Sequence, residues 1–113
     1  MLRKLTILLL TTFFANHVSA ETIDREQAAG LMAECRNLRQ EKIAPLKAQA
    51  IDDCVTKEQK DAEYCERYYR DYGEKTTGGA RQGMFWDLPQ CRKAIEADKY
   101  FKMYPSAKEF EFD

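Results

Sequence analysis

Four cysteines, Cys35, Cys54, Cys65 and Cys91, are the residues of this 113-residue chain whose type and number point most directly to chemistry. An even cysteine count in a short chain with an export-type N-terminus points to two disulfides. A four-cysteine zinc site would need all four as thiolates, which an oxidising destination disfavours. No two cysteines are separated by just two residues, so thioredoxin-like exchange has no support. The single histidine, His17, falls in the N-terminal segment that export would remove. Without an imidazole, the mature chain lacks the usual base for a serine or cysteine nucleophile and the usual ligand for zinc or haem.

Carboxylates could still supply an acid and a base, as in glycoside hydrolysis. Asp52 with Asp53, Glu63 with Glu66, and Asp87 are the candidates. Acids and bases alternate at helical spacing, however, as in Glu63 with Arg67 and Glu66 with Arg70, the pattern of solvated helix faces. No catalytic residue, cofactor site or metal site is assigned, and the chain is not expected to be an enzyme.

Tyr64 to Tyr72 is dense in tyrosine and arginine, residue types enriched where proteins bind one another. Glu74 to Trp86 is long for a helical connection and contains Gly78, Gly79, Arg81, Gly83, Phe85 and Trp86. No strand precedes its glycines and no glycine-lysine-serine or glycine-lysine-threonine ending follows, so it is not a phosphate loop. The candidate interaction surface is therefore Tyr64, Arg67, Tyr68, Arg70, Tyr72, Arg81, Phe85 and Trp86. For the tyrosines and for Phe85 and Trp86, the competing role is the edge of the core.

The elements that must position these residues follow from periodicity and caps. Met1–Ala20 has a basic head (Arg3, Lys4), an apolar run from Leu5 to Ala15 and a polar tail with Val18 and Ala20 at the positions a signal peptidase reads. Cleavage after Ala20 is expected, leaving Glu21–Asp113 as one domain in the periplasm or outside the cell. No membrane insertion is expected after cleavage. The remaining 16 Lys and Arg face 19 Asp and Glu, a net charge of −3, which gives no drive toward nucleic acid.

Asp24 with Gln27 forms a capping box, and Ile23 with Ala28 a hydrophobic staple, so a first helix should start there and run to about Lys42. Pro45 suits the first turn of a second helix, which can extend to Tyr72 with Gly73 as its stop. Thr56 with Gln59 is a further capping pattern that could split that helix. A third helix is expected from Asp87, capped with Gln90 and stapled by Trp86 toward Cys91, ending before Pro105. The tail alternates Phe110 and Phe112 with acids, as a short extended segment or a frayed end would.

The expected fold is all-α: an antiparallel bundle of three helices, or four if Thr56 breaks the second, with helix two as the spine. In antiparallel hairpins a bonded pair sits at equal distances from the turn. The midpoint of Cys35 and Cys54 is the Ala44–Pro45 junction, and that of Cys65 and Cys91 is Gly78. These coincidences select Cys35 with Cys54 and Cys65 with Cys91. Cys54 with Cys65 is out of reach if one continuous helix carries both.

The function expected from this pattern is a small exported, non-enzymatic interaction module for an envelope or extracellular protein or peptide. The alternative is a small hydrolase or inhibitor acting on cell-wall glycan, with Asp87 or Glu66 beside aromatic platforms such as Trp86.

Overall fold

A computed structural model describes residues 20–74 and 83–113. The export segment up to residue 19, and Gly78, Gly79 and Arg81 of the glycine-rich connection, lie outside the described residues. The element order is β1 (Thr22–Asp24), α1 (Arg25–Thr56), α2 (Ala62–Tyr68), α3 (Pro89–Met103) and β2 (Glu109–Glu111). The fold is mostly helical with two disulfides, and a small antiparallel ribbon of β1 and β2 adds to the expected all-α architecture.

The cap at Asp24 forms as the residues dictate. Its carboxylate accepts from the Gln27 backbone N–H at 2.8 Å, and Gln27 Oε1 accepts from the Asp24 N–H at 2.9 Å. Ile23 and Ala28 are both buried in one cluster, so the staple is closed as well.

α1 does not stop near Lys42. It continues through Pro45 to Thr56, a 32-residue helix. Proline removes one helical hydrogen bond and frees the carbonyl of Glu41 four residues earlier, and both Glu41 and Pro45 lie on the exposed side of the helix, where water can take its place. The neighbours Ala44, Leu46, Lys47, Ala48, Gln49 and Ala50 are strong helix formers with no turn residue among them. The true break comes after Thr56, whose hydroxyl donates to the Asp52 carbonyl at 2.8 Å instead of capping a new helix. Gln59 takes the left-handed conformation, φ 56°, and Asp61 caps α2 through its side chain. Three helices result among the described residues, divided differently from expectation, with α1 as the spine.

This division overturns the expected disulfide pairing. The bridges are Cys35–Cys91, from α1 to α3, and Cys54–Cys65, from α1 to α2. Cys35 and Cys54 lie nineteen residues apart on one helix, about 28 Å along its axis, far outside disulfide reach. The helix break that brings Cys65 back to Cys54 leaves their Cα atoms 5.9 Å apart.

α3 runs antiparallel to the first half of α1: Arg25 lies over Phe101, and Cys35 meets Cys91 with Cα atoms 4.8 Å apart. Small residues permit this approach, for Ala28, Ala94 and Ala97 are buried along the contact. α3 starts at Pro89 with Leu88 as an uncapped N-cap, so the expected box at Asp87 is not formed. Trp86 nevertheless packs on the Cys35–Cys91 cluster, as a staple would.

The tail is extended. β2 pairs with β1 in the register Thr22↔Glu111, Ile23↔Phe110 and Asp24↔Glu109, and the Phe112 N–H donates to the Glu21 carbonyl at 2.9 Å. Phe112 joins Ile23, Ala28, Ala97 and Phe101 in the core. Arg25 fastens the turn between α3 and β2: its guanidinium donates to the carbonyls of Tyr104 and Ala107, both at 3.0 Å, and of Pro105. A cation beside the carbonyl end of α3 is also favoured by the helix dipole.

Candidate interaction surface

α2 is a seven-residue helix, too short to persist alone. Asp61 caps it, the Cys65 sulfur fixes it to α1, and Lys47 Nζ donates to the Arg70 carbonyl just beyond it at 2.8 Å. With Cys65 facing α1, spacing turns Tyr64 and Tyr68 outward. Tyr68 is 62 % exposed and Tyr64 38 %, and their rings stack with centroids 5.9 Å apart. Tyr69 meets Tyr68 edge-on at 4.9 Å, and Tyr72 continues the ladder at 6.1 Å from Tyr69. Both Tyr69 and Tyr72 are half-buried. Arg67 and Arg70 are exposed beside the ladder, Arg67 pairing with Glu63 at 3.0 Å in the expected i,i+4 bridge. Lys60 Nζ lies 5.2 Å from the centre of the Tyr64 ring.

Phe85 and Trp86 occupy a different place. Both are half-buried, Trp86 beside the Cys35–Cys91 bridge, whereas Tyr64 and Tyr68 lie by Cys54. Phe85 holds a left-handed backbone, φ 63°, in the turn leading to α3. Arg81 lies outside the described residues. The structure therefore gathers Tyr64, Arg67 and Tyr68 on α2, with Arg70 and the half-buried Tyr72 in the turns just beyond it, and sets Phe85 and Trp86 apart from them.

What organises the second group is Arg39, which is 2 % exposed. Its guanidinium stacks 4.0 Å from the Trp86 ring centre. Its Nε donates to the Met84 carbonyl at 2.7 Å, Nη2 donates to the Gly73 carbonyl at 3.1 Å, and the Glu74 carboxylate stands 3.4 Å away. Gln40 holds the same carboxylate at 2.8 Å. The Met84 N–H donates to the Gly73 carbonyl at 2.8 Å, so the two ends of the glycine-rich connection are joined at its base. Both flanking glycines are required there. Gly73 has φ +84°, and a Cβ on it would lie 2.9 Å from Ile43, while a Cβ on Gly83 would lie 2.4 Å from the Trp86 indole nitrogen.

Arg39 was not among the residues singled out from the sequence. The signal that could have found it is its place between Cys35 and Ile43: with steps of four, all three fall on one helix face, and both neighbours are buried. A cation in the centre of such a stripe must have a built-in partner.

Of the candidate carboxylates, Glu63 is engaged by Arg67, and Asp53 accepts from Gln49 at 2.9 Å and pairs with Lys57 at 3.2 Å. The Gln49 hydrogen bond, reinforced by Lys57, holds the Asp53 carboxyl below the ordinary carboxylate range. Among the described residues, no cluster of three His, Cys, Asp or Glu side chains is arranged to hold a metal ion. One face of Trp86 is covered by the Arg39 guanidinium. The chain matches no family model, and no curated protein or solved structure is significantly similar to it.

Proposed function

We propose that the protein is an exported, non-enzymatic interaction module whose α2 face, carrying Tyr64, Arg67 and Tyr68 with Arg70 just beyond it, binds an envelope or extracellular protein or peptide. The observation that carries this reading is the exposed Tyr64–Tyr68 stack on a helix clamped by its own disulfide. Rigid tyrosines lose little conformational entropy on binding, and the clamp removes the cost of ordering the helix. Two disulfides fit an oxidising compartment. Among the described residues, no helix is long and apolar enough to cross a membrane.

A photo-crosslinking residue at Tyr68, introduced in the native envelope, is the test. It should capture one discrete partner, while the same probe at the exposed Lys99 of α3 should not. The Arg67→Ala, Tyr68→Ala, Arg70→Ala triple variant should lose that partner yet keep its circular dichroism. Equal capture from both positions would remove the basis for the proposal.

A further inference from the structure

A groove of about 340 Å³ runs along the contact of α1 with α3, away from the tyrosine ladder. Its floor is Ala28, Ala29, Met32 and Phe101, all apolar. Ala28 and Phe101, both buried, close its bottom, while the exposed Ala29 and the half-buried Met32 line its opening. Its volume lies within the range of small-ligand sites.

Four charged side chains form the rim: Arg25, Arg36, Asp98 and Lys102. Lys102 and Asp98 pair with each other at 2.6 Å and so cancel. Arg25 is bound by the carbonyls of Tyr104, Pro105 and Ala107 and lies 4.8 Å from the Phe101 ring centre, none of which carries a formal negative charge. Arg36 is exposed and forms no salt bridge among the described residues. The rim thus has an excess of two positive charges around an apolar floor, in a mature chain whose net charge is negative. Arg25 and Arg36 are eleven residues apart on nearly the same face of α1, about 16 Å, with Ala29 and Met32 between them.

We infer that this groove binds a free medium-chain fatty acid. Arg36 takes the carboxylate, since Arg25 is already turned toward the α3 turn, and the tail runs over Met32 and Ala29 toward Phe101. A guanidinium is suited to a carboxylate because its parallel N–H groups match the two oxygens. The apolar floor has no hydrogen-bonding side chain to recognise a polar tail. This site is independent of the α2 face and does not rest on the proposal made for it.

The test uses the processed full-length protein, isotopically labelled, titrated with sodium decanoate below its micelle concentration. Saturable shifts should appear at Ala29, Met32 and Phe101 and not at Tyr64 or Tyr68. Each methylene removed from the acid should weaken binding about two- to four-fold, so hexanoate should bind far more weakly than decanoate. Arg36→Gln, at an exposed position where the fold is not at stake, should weaken decanoate binding about ten-fold or more. Ala29→Trp, which fills the groove and leaves every charge in place, should abolish it. Absence of saturable shifts, unchanged affinity in Arg36→Gln, or equal binding of decyltrimethylammonium would overturn the inference. So would capture by phosphatidylglycerol vesicles with no response to monomeric decanoate, which would make a membrane surface the ligand.

Discussion

The two halves of α1 are held by different means. The first half, from Arg25 to Ile43, is buried against α3, braced by the β1–β2 ribbon and organised around two arginines. The second half has Ala44, Pro45, Leu46 and Ala48 exposed, and the element it carries is the seven-residue α2. One half therefore gains its stability from packing, with Cys35–Cys91 added to it. The other depends on Cys54–Cys65 in place of a core. A domain of this size has too little interior to stabilise every helix by burial, and the surface left rigid but exposed is the tyrosine ladder.

The difference can be broken first at Cys35–Cys91. Its partners are 56 residues apart, and the loop-entropy model assigns such a crosslink about 4 kcal/mol. The Cys35→Ser, Cys91→Ser variant should lose cooperative thermal unfolding or melt far lower, read by circular dichroism. Arg39→Met should follow at about 3 kcal/mol, because it leaves the Met84 carbonyl without its donor, removes one of the two donors to the Gly73 carbonyl and the cation from the Trp86 face, and leaves Glu74 held by Gln40 alone. A melting temperature within a few degrees of the parent would show that Trp86 and Met84 hold the loop base without it.

Cys54–Cys65 spans eleven residues, and the same model gives about 3 kcal/mol, but the loss should be local. In Cys54→Ser, Cys65→Ser, amide exchange should rise through α2 while the amides around Ala94 and Ala97 stay protected. Uniform exchange across the molecule would contradict the division into a packed half and a clamped half. Asp24→Ala, which removes the side-chain cap of α1, should cost about 1 kcal/mol and leave both bridges in place.

The smallest effect is at Asp53. Its carboxyl should titrate below the ordinary range by carbon-detected NMR, and Gln49→Leu should move it back toward that range. Because the folded-state value is depressed, its contribution is present above the unfolded value and is lost as pH falls through the folded one. The effect should fall on the exposed end of α1 and leave the α1–α3 pair unchanged.

Local signals were legible in the sequence wherever the decisive partner lay within a few residues. The Asp24 box and the Ile23 staple could be read from residue types alone, whereas the helix expected to stop at Gly73 ends at Tyr68, and which tyrosines face outward was open until Cys65 was placed against α1. Pro45 misled because its cost depends on solvent reaching the freed carbonyl and on the absence of any competing turn, which are properties of the folded surface. Reading a turn there moved the spine to the wrong helix and carried the disulfide pairing with it. Thr56 marked the true break, but Asp61 supplied the cap. The Arg39 partners lie 34 to 45 residues downstream, and those of Arg25 some 80, so their contacts could not be read from local spacing.

The bridges are nested, with the second and third cysteines joined inside the first and fourth. On an export route the chain crosses from its N-terminus, and an oxidant that links thiols in order of arrival would join Cys35 to Cys54 first. That crosslink and a continuous α1 exclude each other. Where oxidation outruns the formation of α1, that bridge must be reshuffled before the native pairs can form.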